Sequence, residues 1–396
     1  MAERTQRRIC VITGTRGDYG PLFWLMREIE ADPDLALQLV VTGTHLAPEF
    51  GKTVAVIEED GFAIAKRIDI EIGDDSAAGV ARSLGLAVIG LGAAIETLKP
   101  DIVVLQGDRY EILAAAGAAT VACVPIAHIH GGEITEGAMD DTMRHAITKM
   151  AHLHFTAAEA YRRRVIQLGE APDRVFNFGA PGLDNVDKLT LLDRGGLERE
   201  LGVPSDRAFF LVTYHPATLE ADDPGREAGE MLTALDRFKD HRVVLTGANA
   251  DPGRNRIARL LADYVAAGEG RASLHASLGQ FQYLSAMKFA DAVVGNSSSG
   301  IIEAPALGVP TVNIGDRQKG RLCAPSVIEC AGERDAIVAA IGHAIDPGFR
   351  HGLEGMTLPY GSGGASRKIK DHLKTADLSA IHHKPFHDMT LERAVS

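Results

Sequence analysis

The chain has 396 residues, 45% of them hydrophobic and 24% charged, and 41 Lys and Arg against 53 Asp and Glu give a formal net charge of −12 at pH 7. That length exceeds one ordinary domain and suits two, and the composition is that of a globular chain with a full core. The acidic balance argues against a nucleic-acid or anionic-membrane partner, which needs a basic face, yet leaves room for a local arginine cluster that binds an anionic substrate.

Met1 to Arg8 is polar and basic with no long apolar region after it, so no secretory leader is read and a reducing cytoplasm is expected. Ile9-Cys-Val-Ile-Thr13 reads as a strand ending in Gly14-Thr-Arg16-Gly-Asp18-Tyr-Gly20, with a helix from about Pro21, a residue suited to a first turn. Leu37 to Val41 is a second strand, ending in Thr42-Gly-Thr-His45-Leu46. Ala77 to Leu98 has helical apolar spacing and leads to Asp101-Ile-Val-Val-Leu-Gln106, a β-branched run expected to be buried on both faces, which stops at Gly107-Asp108-Arg109. The most apolar stretch, Ile112 to Ala127, is broken by Gly117 and Pro125 and is short of a membrane span. It reads as a small-residue helix running into the strand Val124 to Ile129, which stops at His130-Gly-Gly-Glu133, with Asp140-Asp141 and Arg144-His145 soon after. Leu153-His-Phe155 and Val175-Phe-Asn-Phe178 add two short strands, the last closing in Gly179-Ala-Pro-Gly182.

The pattern then begins again, with strands at Phe209 to Val212, Arg242 to Leu245, Ala272 to Leu274, Ala292 to Val294 and Thr311 to Ile314, alternating with helices such as Gly229 to Phe238. Such alternation means parallel sheets with right-handed crossovers. The expected fold is α/β, with two Rossmann-like domains whose parallel sheets face a cleft: 1–182, and 183–360. A last helix over about 365–375 packs back on the first domain, and 376–396, with His382, His383 and His387, is a peripheral tail without chemistry. The four cysteines have no metal-ligand spacing, and Cys10 and Cys123 fall in apparent buried strands, where a thiol packs as a small hydrophobe.

In open α/β sheets, ligands bind beyond the carboxyl ends of the strands. Asp108, His130, Glu133 and Asp140 all follow strand ends, and burying that many ionisable groups without a task is costly, so they form the candidate acid–base pool. Gly295-Asn-Ser-Ser-Ser-Gly300 lies between a strand and a helix expected over Ile301 to Leu307. A Gly/Ser turn at a helix N-terminus offers free N–H groups and the positive dipole end, a phosphate site to which Ser297, Ser298 and Ser299 add donors, whereas a plain cap needs one serine. Glu303 stands one turn in, placed for ribose hydroxyls. Arg16 could reach the same phosphates, and His215 and Asn249 also sit at strand ends.

Thr13 to Gly20, Thr42-Gly-Thr-His-Leu46, Gln106-Gly-Asp-Arg109, His130-Gly-Gly-Glu133, Arg144-His-Ala-Ile-Thr-Lys149 and Gly295 to Gly300 resemble the hydrolysing UDP-N-acetylglucosamine 2-epimerase family, in the same order and to about residue 375. The resemblance implies a glycosyltransferase-B-like fold and release of UDP with conversion of the sugar to free N-acetylmannosamine, a first step toward nonulosonic acids. It implies Asp108 and Asp140 as essential, Arg16, His215, Asn249, Ser297, Ser298 and Glu303 as nucleotide contacts, and Arg109 and His45 as lining the sugar pocket. It implies a UDP-sugar substrate and UDP as partners, no cofactor and no metal, and a homo-oligomer, dimer or tetramer. The departure is His130, where many members carry a catalytic Glu. With an ordinary pKa of ~6.5, a histidine shuttles protons at neutral pH as well as a raised glutamate. The change could also mark the family's other substrate class, UDP-2,4-diacetamido-2,4,6-trideoxy sugars of the legionaminic acid route. A glycosyltransferase of the same fold, a metal-dependent hydrolase using His128, His130 and Asp108, and a non-catalytic sugar-nucleotide sensor are the other readings.

Overall fold

A computed structural model of the chain describes residues 6–389 apart from 75, 137, 205, 217–224, 248–253 and 269. Two all-parallel sheets carry it. The first is built from β1 (Arg7–Thr13), β2 (Leu35–Thr42), β3 (Ile64–Ile68), β4 (Ile102–Gln106), β5 (Ile126–Ile129), β6 (Leu153–Thr156) and β7 (Val175–Asn177), in the order β3-β2-β1-β4-β5-β6-β7. The second has β8 (Phe209–Thr213), β9 (Arg242–Thr246), β10 (Ala272–His275), β11 (Ala292–Gly295), β12 (Thr311–Ile314) and β13 (Val327–Cys330), in the order β10-β9-β8-β11-β12-β13. The chain order reverses at β1/β4 and at β8/β11, the two crevices in which a doubly wound sheet binds ligands.

The central strands read as unbroken apolar runs because helices cover both faces. Ile9, Val11 and Val104 pack under the helices Arg16–Glu30 and Ala365–Thr375, while Ile12, Val103 and Leu105 pack under Ala77–Leu98 and Tyr110–Val121. Each such side chain removed from water stabilises by roughly 1.5–3 kcal/mol. The two strands that the sequence pattern does not show, β3 and β13, are both sheet edges. Their partly exposed residues, Lys66, Arg67 and Glu329 among them, break the apolar run.

The first helix begins at Arg16, five residues before the expected Pro21, because Asp18 caps it: its carboxylate accepts from the N–H of Gly14 (3.0 Å) and Thr15 (3.2 Å) and from the Thr13 hydroxyl. Pro21 therefore stands inside the helix, and its missing N–H leaves the Gly17 carbonyl without an i→i−4 bond. Cys123 is exposed in a turn at φ 53°, not buried in a strand as Cys10 is. Ala77–Leu98 is long and apolar enough to cross a membrane by length and composition, but it lies as a layer on the first sheet, with Leu91 and Ile95 buried.

The last helix, Ala365–Thr375, leaves the second sheet for the first. Asp184, buried at its N-terminus, accepts from the N–H of Ala365 (3.1 Å) and Ser366 (2.8 Å), a charge that complements the dipole. Ile369 and Leu373 enter the first core, and Lys374 pairs with Asp32 at 2.7 Å. The tail is not a free peripheral arm over its described part. Ile381 is buried in the first core, and Arg174 donates to the carbonyls of Ile381 (2.9 Å) and His383 (3.1 Å).

Candidate active site

The tips of β4 and β5 and the start of the helix after β1 face the helix that follows β11. Between them lies a cavity of about 140 Å³, lined by Gly17, Pro21, Gln106, Gly107, Asp108, His130, Glu133, Arg144, Ala180, Gly182, Ser298, Ile302, Glu303 and Arg321. Pockets for drug-sized ligands run to roughly 300–1,000 Å³, so these walls enclose only part of a ligand as large as a nucleotide sugar.

Arg144 organises the first wall. It is 1% exposed, and a buried guanidinium must have its donors met. It donates to the Glu133 carbonyl (3.0 Å), the Thr135 hydroxyl (2.9 Å) and the Asp108 carboxylate, and lies 3.4 Å from Asp141. Asp141 in turn accepts from the Thr135 N–H at 2.6 Å. Asp108 is thus held at the cavity by a fixed positive charge.

His130 follows β5 at φ 65°, a left-handed backbone that turns the chain and breaks strand alternation. Its Nδ1 meets Glu133 Oε1 at 2.5 Å, while Glu133 Oε2 meets Arg321 at 3.0 Å. Burial alone would raise the Glu133 pKa, but Arg321, His130 and Arg144 outweigh it and hold the carboxyl at about 2. At neutral pH Glu133 is thus ionised, and its carboxylate holds the Nδ1 side of the His130 ring.

On the opposite wall, Ser297 caps the helix Ser298–Ala306, which starts three residues earlier than expected because the serines form its first turn. Ser297 and Ser299 hydroxyls are 3.0 Å apart, and Tyr283 fixes Ser299 at 2.7 Å. Ser298 and Glu303 line the cavity, and burial raises the Glu303 pKa to about 7. Gly300 serves packing: a Cβ there would meet the Thr311 side chain at 2.7 Å. Asn296 clamps His215 both ways, accepting from its N–H (2.7 Å) and donating to its carbonyl (2.8 Å).

Several expected residues stay away from the cavity lining. His45 is fully buried, its ring between Thr13 (3.0 Å) and Thr53 (2.8 Å), with a pKa lowered to about 4 by desolvation. It props up the Thr13–Asp18 turn. Arg109 pairs with the buried Glu111 at 2.9 Å. Arg16 spans the cleft to the Ala276 carbonyl at 3.4 Å. His215 is buried at the tip of β8, and Asp140 opens the helix Asp140–Met150 one turn before Arg144. Asn249 lies outside the described residues. His128 has both ring nitrogens engaged, by the Gly107 carbonyl (2.8 Å) and Thr148 (3.1 Å). It does not share a ligand face with His130, which works against the metal-hydrolase reading. Arg321 and Asn296 escaped the sequence reading. A single Arg in the stretch Lys319-Gly-Arg321 carries no spacing signal, and Asn296 was hidden inside the serine turn.

Two Rossmann-like sheets, a helix N-terminus with serines on one wall and ordered acid–base groups on the other define a nucleotide-sugar enzyme of the glycosyltransferase-B-like class. The model of the UDP-N-acetylglucosamine 2-epimerase family matches residues 27–374, and the chain belongs to that family. It is 40% identical to the GDP/UDP-N,N'-diacetylbacillosamine 2-epimerase (hydrolyzing) of Campylobacter jejuni, over 97% of this chain and 100% of that one. It is 37% identical to the polysialic acid biosynthesis protein P7 of Escherichia coli, over 97% and 98%. The structure of the UDP-GlcNAc 2-epimerase from Neisseria meningitidis bound to UDP-GlcNAc superposes with a TM-score of 0.77 at 18% identity, covering 92% of this chain and 99% of that one.

Proposed function

We propose that the chain is a hydrolysing 2-epimerase of a UDP-2-acetamido sugar, converting UDP-N-acetylglucosamine and water to N-acetylmannosamine and UDP in nonulosonic acid biosynthesis. The observation that carries this reading is the pairing of His130, oriented by Glu133, and Asp108, held by Arg144, across one cavity from the serine-capped helix. In the proposed course, His130 Nε2 or Asp108 takes the C2 proton as the C1–O bond to UDP breaks. The helix N-terminus with Ser297 and Ser298, together with Arg16, stabilises the departing diphosphate. Water then adds to the glycal while a proton returns to C2 on the opposite face. Closure of the two walls on the bound sugar would exclude bulk water until elimination has occurred.

A second reading, the same reaction on a UDP-2,4-diacetamido-2,4,6-trideoxyglucose, is favoured by the name of the Campylobacter relative. Offering both sugars in heavy water separates them. UDP release with one deuterium at C2 of the freed sugar supports the reaction and identifies the substrate, whereas transfer only to an added acceptor would overturn it in favour of a glycosyltransferase.

We read 1–182 and 183–360 as the two domains, a cytoplasmic location, and a homo-oligomer. What supports the last is the apolar outer face of Ala77–Leu98 and the neighbouring helix end, where Ile89 is 72% and Val121 87% exposed.

A further inference from the structure

The helix Asp140–Met150 carries Arg144 in its first half, and its far end is held by the C-terminal tail. Lys384 donates to the carbonyls of Lys149 (2.7 Å) and Ala151 (2.6 Å), the C-terminal end where a cation offsets the helix dipole. The same ammonium pairs with Glu170 at 2.7 Å, and Glu170, 1% exposed, also binds Lys149 (2.6 Å) and His154 (3.0 Å). Around it the His387 N–H donates to the Gly169 carbonyl (2.9 Å), and the Phe386 ring covers Gly169 and the Lys149 ammonium.

Two routes lead from that anchored end to the cavity. Along the helix, Arg144 stands about one and a half turns from Lys149. Across it, Thr148 meets His128, whose other nitrogen meets the Gly107 carbonyl beside Asp108. Both partners of the Arg144–Asp108 pair therefore hang on the helix that Lys384 clamps.

We propose that Lys384 is a positioning residue for the reaction, with the tail segment 381–387 acting as a strap that fixes the placement of Arg144 and Asp108. The inference rests on the proposed function of those two residues. The test uses the full chain with Lys384→Met, Lys384→Arg and Arg174→Ala, assayed for UDP release well below each variant's melting temperature.

A small displacement of reacting groups costs up to about 100-fold in rate, and one acting at this distance is expected to cost about 10-fold in kcat. The inhibition constant of UDP should stay unchanged, because the serine turn is on the other sheet. Lys384→Arg should restore most of the rate, and Arg174→Ala, which frees the Ile381 and His383 carbonyls of the same segment, should lower kcat in the same direction but by less. An unchanged kcat in folded Lys384→Met, or in folded Arg174→Ala, overturns the strap. Should Lys384→Met fail to fold, His387→Pro loosens the strap without stranding a charge, and it must then lower kcat in the same way. A wild-type chain that releases no UDP defeats the proposed function, whereas full turnover in Lys384→Met defeats only the strap.

Discussion

Arg144 reaches Asp108 with one guanidinium nitrogen and the backbone carbonyl of Glu133 with the other, so a single buried cation joins the tip of β4 to the turn after β5. A planar fork does this and a lysine ammonium does not. Arg144→Lys is expected to lower kcat for UDP release at least ~10²-fold, since it misplaces two groups at once. Steady-state kinetics, with circular dichroism to confirm the fold, checks it, and near-normal turnover would remove Arg144 from the site.

His130 follows β5 with its Nδ1 held on Glu133. His130→Ala should lose about 10²–10⁴-fold in kcat, the usual worth of a proton-transfer group, with UDP affinity nearly unchanged. The kcat–KM split reads this directly, and a loss confined to KM would make His130 a binding residue instead.

Glu133 has a folded pKa of about 2 against an ordinary 4.5, set by Arg321, His130 and Arg144 against the opposing effect of burial. A depressed carboxyl contributes stability that is present above the unfolded pKa and is lost as pH falls from about 4.5 toward 2. Glu133→Gln strands Arg321, whose side chain is 10% exposed, and should destabilise by about 3–5 kcal/mol at pH 7. The gap to wild type should narrow as pH falls below 4.5, in urea melts run across pH 3 to 7.

Glu303 has the opposite sign. Its folded pKa of about 7 lies above the ordinary 4.5, so the folded state holds the proton longer and stability is lost as pH rises from 4.5 through 7. Glu303→Gln should therefore gain on wild type between pH 5 and 8, by at most about 3 kcal/mol. Thermal melts at the two pH values without ligand test this, and a constant difference would contradict it.

The exposed face of Ala77–Leu98 bears on assembly. Ile89→Glu with Val121→Glu should shift sedimentation toward a single chain while leaving the secondary structure intact. Unchanged sedimentation from a wild-type oligomer would place the interface elsewhere.

The sequence by itself determined the paired parallel sheets, because strands covered on both faces must be apolar runs, and those runs recur twice between helical stretches. It also determined the serine turn at a helix start and the placing of Asp108, His130 and Glu133 at strand ends, since these follow from local order along the chain. Only the tertiary structure decided which ionisable groups meet. Arg144 and Asp108 are 36 residues apart and Glu133 and Arg321 lie on opposite walls, and no local periodicity encodes such distances. The same holds for His45, which a motif places near a sugar but folding buries against Thr13 and Thr53, and for the tail, whose polar composition hides a lysine that finds its partners at the end of a distant helix. Backbone pattern follows from near neighbours, whereas the partner of a buried charge is fixed only when remote segments pack and solvent is excluded.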